Sequence, residues 1–261
     1  MMTSGKLSGG NHRRVALVTG GARGIGLEIV RRLLADGYQV AFVATKAAHV
    51  ERALASLSCP ERLYAEAVDV TRQNEVERFA DRIRSRWGDI AVLVNNAGIS
   101  PKRADQDAPW LSQMPLEEWA RVIDVNLKGP FILTRLLAPE MIANGYGRII
   151  NIGSLAGRAM PLIAGPHYAA SKAGLVGLTR AAARDLAPHG ITVNCIAPGR
   201  ILSDLTGPPE AAVNRSALSR IPVGRFGKAE EVAHVVAFLA SPMAGFITGA
   251  TIDITGGEFA A

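Results

Sequence analysis

Tyr168 and Lys172 place a phenol and an ammonium four residues apart in an alanine-rich run, Tyr168 to Ala187, that reads as a helix. At that spacing both side chains leave the same helix face. A neighbouring ammonium favours the phenolate over the phenol, so the pair predicts a tyrosine pKa below its ordinary value of about 10. A tyrosine tuned in this way exchanges a proton with an alcohol or a carbonyl near neutral pH. The same spacing also occurs on solvated helices, where it makes only a surface pair. Its meaning therefore depends on what the rest of the chain supplies.

A second chemical element lies near the start. Val15-Ala16-Leu17-Val18 is a short apolar run that suits a strand buried on both faces. It ends in Thr19-Gly20, and the turn Gly20-Gly21-Ala22-Arg23-Gly24-Ile25-Gly26 follows. Ile25, Ile29, Val30, Leu33 and Leu34 then recur at helical spacing, with Gly37 as the stop. Strand, glycine turn and helix make a setting for a diphosphate, because glycines admit close backbone approach and a helix N-terminus offers free N–H groups. The spacing is G-x-x-x-G-x-G, not the common G-x-G-x-x-G. Tyr38 to Ala44 reads as the second strand. An acid at its end would bind the adenosine ribose and repel a 2′-phosphate. The chain instead has Ala44-Thr45-Lys46-Ala47, with no acid until Glu51. Lys46 and Arg23 could bind a phosphate there, which favours NADP(H) and leaves NAD(H) possible.

Further strands read at Leu63 to Val68, Ile90 to Val94, Arg148 to Ile152, Ile191 to Ile196 and Ala250 to Ile254. Helical periodicity marks about Arg72 to Trp87 and Lys228 to Ala240. A longer helix is expected from about Leu116 to Met141, with Trp119, Val122, Ile123 and Val125 buried and a kink at Gly129-Pro130. Asn126 lies there amid apolar neighbours and needs partners if it is buried. Asn95-Asn96-Ala97-Gly98 closes the fourth strand, Gly153-Ser154 the fifth and Ala197-Pro198-Gly199 the sixth. Small and polar residues at the carboxyl ends of such strands stand where open α/β sheets bind ligands. The polar loop Ile99 to Pro115 reads as functional, and Arg200 to Arg225 as a lid over a substrate.

Strands and helices alternate without a repeat or a break in composition. The expected fold is α/β: a single-domain Rossmann fold, with a doubly wound parallel sheet of about seven strands and helices on both faces. It would span residues 13–261 behind a flexible tail of residues 1–12. Hydrophobic residues are 48% of the 261, enough for one large core. The formal charge is +6, but the 29 basic residues form no long run, which argues against nucleic acid. Part of that excess suits an anionic cofactor or substrate. Cys59 and Cys195 are far apart, with no second Cys or His at ligand spacing, so they read as plain thiols in a reducing compartment and imply no metal site. Met1 to Asn11 lacks the apolar core of a secretory signal, and no stretch of about eighteen apolar residues could span a membrane. A cytoplasmic soluble protein is expected.

Together, Thr19-Gly20-x-x-x-Gly24-x-Gly26, Asn95-Asn96-Ala97-Gly98, Asn126, Ser154, Tyr168-x-x-x-Lys172 and Pro198-Gly199 resemble the short-chain dehydrogenase/reductase family, from about Arg14 to Gly257. The resemblance implies that Tyr168 is proton donor in reduction and base in oxidation. It implies that Lys172 lowers the tyrosine pKa and binds the nicotinamide ribose. Ser154 would hydrogen-bond the substrate oxygen, and Asn126 would order a water in the proton relay. By the same resemblance Gly20, Gly24, Ile25 and Gly26 hold the cofactor, Asp69 and Val70 contact adenine, and Asn95, Ala97 and Gly98 line the cofactor. Pro198, Gly199, Ile201 and Ser203 would lie by the carboxamide; the family often has Thr where this chain has Ser203. The loops 99–115 and 154–168 are longer than in compact members.

The pattern most resembles 3-oxoacyl thioester reductases, including Ile221-Pro222-Val223-Gly224-Arg225, and a basic surface would suit an acidic carrier protein. The alternatives are a dehydrogenase of a sugar, polyol or other small secondary alcohol, and a catalytically silent nucleotide-binding scaffold. Intact Ser154, Tyr168 and Lys172 argue against the scaffold. The resemblance also implies a homotetramer, with which the apolar segments 131–137 and 246–254 are compatible.

Overall fold

Seven strands form one sheet in the computed structural model, which describes residues 14–101, 111–202 and 211–260. They are β1 (Val15–Thr19), β2 (Gln39–Ala44), β3 (Leu63–Ala67), β4 (Ile90–Asn95), β5 (Gly147–Ile152), β6 (Ile191–Pro198) and β7 (Thr251–Ile254). Their order is β3-β2-β1-β4-β5-β6-β7, and every neighbouring pair is parallel. The chain reverses its direction of winding between β1 and β4, so their carboxyl ends flank the crevice where ligands enter such sheets.

The helices are α1 (Gly24–Ala35), α2 (Ala47–Ser56), α3 (Gln73–Trp87), α4 (Leu116–Ile123), α5 (Gly129–Ala143), α6 (Pro166–Leu186), α7 (Ala212–Leu218) and α8 (Ala229–Ala240). Successive strand side chains point to opposite faces, which divides the core in two. Ala16, Val18, Val40, Phe42, Val92 and Val94 pack with Ile29 and Leu33 of α1 and Val232 and Val236 of α8. Val15, Leu17, Ala41, Val43 and Leu93 pack with Phe79 and Ile83 of α3 and Leu133 and Leu137 of α5. Among the described residues, no helix is long and apolar enough to cross a membrane.

Three local expectations need correction. The long helix is two helices joined by a π turn, Asp124–Lys128. Gly129 and Pro130 stand at the first two positions of α5, directly after that turn. The π turn buries Asn126 completely. Trp119 is exposed, and of the four apolar residues expected inside only Val122 is fully buried. Finally, α2 and α7 were not expected as helices. α2 buries only Val50 and Ala53, too sparse a stripe to mark a helix by periodicity.

Candidate active site

The glycine turn is set by backbone shape and by lack of room. Gly20 and Gly24 adopt φ of +66° and +53°, which side chains rarely tolerate. A Cβ on Gly26 would lie 2.1 Å from the Gly20 carbonyl oxygen. The turn is stitched to the end of β4 across the sheet. Thr19 Oγ1 accepts the N–H groups of Asn96 (3.0 Å) and Ala97 (2.9 Å). Asn96 Nδ2 in turn donates to the carbonyls of Thr19 (3.0 Å) and Gly20 (3.1 Å). Two helix N-termini open into the same crevice without a side-chain cap or an acid in the first turn: α1 behind Arg23 and α2 behind Lys46. Their free amides and positive dipole ends suit an anion. The crevice has a volume of about 1260 Å³. A glycine cradle without room for a Cβ, beside two unneutralised helix ends, fits a dinucleotide.

The crevice collects most of the expected cofactor residues. Gly20, Gly24, Ile25 and Gly26 form its floor. Arg23, Thr45, Lys46, Asp69 and Val70 line one end. Arg23 and Lys46 are exposed and have no ion-pair partner among the described residues. Asp69 Oδ1 accepts from the Thr71 N–H (2.9 Å) and hydroxyl (2.8 Å), which fixes the carboxylate. Ala97 and Gly98 line the middle, and Pro198, Gly199 and Ile201 the far end. Ser203 lies outside the described residues. The Asn95 side chain is a correction: it does not line the crevice. It is buried behind the turn, where Nδ2 donates to Asn151 Oδ1 (2.8 Å) and Asn151 continues to Thr179. Its neighbour Asn96 lines the crevice, in the turn just past β4 where its N–H bonds back to the Val94 carbonyl.

Ser154, Tyr168 and Lys172 meet at the far end of the crevice. Ser154 caps a short 3₁₀ turn, Leu155–Gly157, by accepting the Ala156 N–H at 3.2 Å. That turn lies so close on α6 that a Cβ on Gly157 would fall 2.5 Å from the Lys172 carbonyl carbon. The Ser154 hydroxyl lies close enough to the Tyr168 phenol to favour its charged form. Lys172 Nζ donates to the Ile152 carbonyl (2.6 Å) and lies 5.7 Å from the Tyr168 ring centroid. Asn126 Oδ1 accepts the Ile99 N–H (2.8 Å), while Nδ2 donates to the Ile99 carbonyl (3.0 Å) and to Ser171 Oγ (3.1 Å). Ser171 then donates to the Tyr168 carbonyl at 2.7 Å. Gly98 faces this group: a Cβ there would stand 3.4 Å from Asn126 Oδ1 and 3.5 Å from Lys172 Nζ.

The titration of the pair differs from the expectation. Burial pushes the Tyr168 phenol above its ordinary value, and the Ser154 hydroxyl pulls the other way. The ammonium does not bring it below that value, because Lys172 is itself buried and its pKa is driven down to about 8. Four residues of spacing brought the two groups together, but the low dielectric around them sets the sign. Burial also raises the nearby Cys195 thiol to about 11, so it stays neutral. The sequence reading missed Thr19, Asn96 and Ser171 as side chains that hold the site. Their one signal was a polar residue ending an apolar strand or standing inside a helix between two reactive groups.

Fold and site define a dinucleotide-binding α/β oxidoreductase with a Ser-Tyr-Lys group. The chain belongs to the short-chain dehydrogenase/reductase family. Residues 20–258 match the family model described as enoyl-(acyl carrier protein) reductase. The chain is 41% identical over 251 residues to the 3-oxoacyl-[acyl-carrier-protein] reductase FabG of Staphylococcus aureus strain Mu50, covering 94% of this chain and 97% of that relative. It is 43% identical over 247 residues to an acetoacetyl-CoA reductase of Rhizobium meliloti, covering 94% and 98% respectively. A solved structure described as a gluconate dehydrogenase, from Agrobacterium tumefaciens, superposes with a TM-score of 0.87 at 31% identity, over 95% of this chain and 96% of that one.

Proposed function

We propose that the protein reduces 3-oxoacyl thioesters with NADPH. The carrying observation is that Ser154, Tyr168 and Lys172 line one crevice that fits a dinucleotide, with Asn126 tied through Ser171 to the Tyr168 backbone. Two relatives above 40% identity, matched over nearly their whole lengths, are named for reduction of such substrates. The substrate side of the crevice includes Leu155, Met160, Leu162 and Ile163, an apolar rim that suits an acyl chain.

The nicotinamide supplies the hydride. Tyr168, kept neutral by burial, donates its proton to the substrate oxygen. Ser154 hydrogen-bonds that oxygen and stabilises the charge developing on it. The Lys172 ammonium stabilises the phenolate left behind and holds the ribose. A water in the space that Gly98 leaves beside Asn126 and Lys172 would return the proton. Thr45 and Lys46, just after β2, and Arg23, in the glycine turn before α1, favour the 2′-phosphate of NADPH.

The test is consumption of NADPH by acetoacetyl-CoA, run beside a panel of sugar acids and polyols with either cofactor. Turnover of the thioester supports the reading, and turnover confined to the sugar panel overturns it. We also propose a homotetramer, because Trp119, Phe131 and Phe246 expose large apolar area. Sedimentation as a monomer would contradict that.

A further inference from the structure

The imidazole one residue before the tyrosine has no part in that chemistry. His167 is fully buried at the start of α6. The first N–H groups of a helix have no partner inside it and need one outside. A side chain at the N-cap usually serves, but the N-cap of α6 is Gly165, which has none. His167 Nδ1 does this work, accepting the Tyr168 N–H at 2.9 Å. An Nδ1 that accepts must be unprotonated, which puts the ring proton on Nε2. Nε2 faces Glu118 Oε1 of α4 at 3.1 Å. The imidazole thus spans two elements. One end accepts the amide of Tyr168; the other lies beside the helix that runs on into the π turn carrying Asn126. Ser171 holds the opposite side of the same residue, its carbonyl. The backbone of Tyr168 is therefore clamped at both N–H and C=O.

We infer that His167 is a positioning residue for the reaction: through its Nδ1 it fixes the Tyr168 phenol in register with Ser154. The inference rests on the assignment of Tyr168 as proton donor. Leucine fills a similar volume without an acceptor, whereas asparagine offers an oxygen near the place of Nδ1 but is too short to reach Glu118. His167→Leu should lower kcat for acetoacetyl-CoA by about tenfold or more, since small misplacements of reacting groups are costly. KM for NADPH should stay within about twofold, because the cradle is untouched. His167→Asn should recover kcat to within about threefold of the parent.

The inference is overturned if His167→Leu keeps the parent kcat, or if both variants lose kcat alike, which would mark a packing role only. Should His167→Leu fail to fold, His167→Phe, which keeps a ring there but offers no acceptor, must lower kcat while sparing KM for NADPH. An unchanged kcat would overturn the inference by that route. Tyr168→Phe runs alongside. If it retains turnover, the assignment of the proton donor has failed. If it is inactive while His167→Leu is normal, only the positioning role has failed.

Discussion

Gly26→Ala puts one methyl group into the narrowest place in the crevice. The new Cβ would stand 2.1 Å from the Gly20 carbonyl oxygen and 2.5 Å from Asn96 Nδ2. Both are parts of the stitch between β1 and β4, and neither is the end of a long flexible side chain. Relieving the contact requires a shift of about 1 Å in the turn. That shift breaks the hydrogen bond from Asn96 to Gly20, worth about 1 kcal/mol net. Overpacking adds ~1–3 kcal/mol. A loss of about 2–4 kcal/mol in a chain of this size lowers Tm by roughly 5–15 °C. The displaced carbonyl and amides belong to the surface that receives the diphosphate, so the Kd for NADPH should rise by about tenfold or more. Differential scanning fluorimetry reads the first effect and a fluorescence titration with NADPH the second. A variant with parental Tm and parental Kd would refute the argument that closeness of approach at Gly26 shapes the cofactor site.

Lys46→Asp should raise the KM for NADPH by about tenfold while leaving that for NADH within about threefold, as removal of a phosphate contact and addition of a repelling charge require. Steady-state kinetics with both cofactors would show it, and an equal change in both would contradict the placement of the 2′-phosphate. Lys172 offers a pH test without any cofactor. Its pKa is driven from 10.5 to about 8 on folding, so the unfolded chain binds the extra proton between those values. Stability should therefore rise with pH across that window, by up to about 3 kcal/mol, and the contribution should be absent below it. Urea titrations of the parent and of Lys172→Met should show a steeper rise in the parent between about pH 8 and pH 10. Equal slopes would refute the buried ammonium.

The sheet was legible because its strands are continuous apolar runs, such as Val15–Val18 and Ile90–Val94, and a strand covered on both faces has no other pattern to show. The turn was legible because only glycines fit it. What escaped depended on which way a residue faces. Asn95 and Asn96 are the same residue type at adjacent positions, yet one is buried behind the sheet and the other braces the turn. Sequence carries no mark of where a strand ends to within one residue, so the two roles could not be told apart. Trp119 was expected inside because it is large and apolar, but α4 turns it outward. Gly129-Pro130 drew attention as the break, whereas the irregularity lies just before it at Asn126, where a wider turn buries an amide. The direction of the Tyr168 shift was illegible for a different reason. Spacing along a helix gives proximity, but desolvation depends on everything packed around the pair.

Replacement of the Tyr168 phenol by phenyl tests the central claim most directly. With acetoacetyl-CoA and NADPH, Tyr168→Phe should lose about 10²–10⁴-fold in kcat, while the Kd for NADPH stays within about twofold of the parent. A variant that binds NADPH normally and turns over at a near-parental rate would contradict the assignment of Tyr168 as the proton donor.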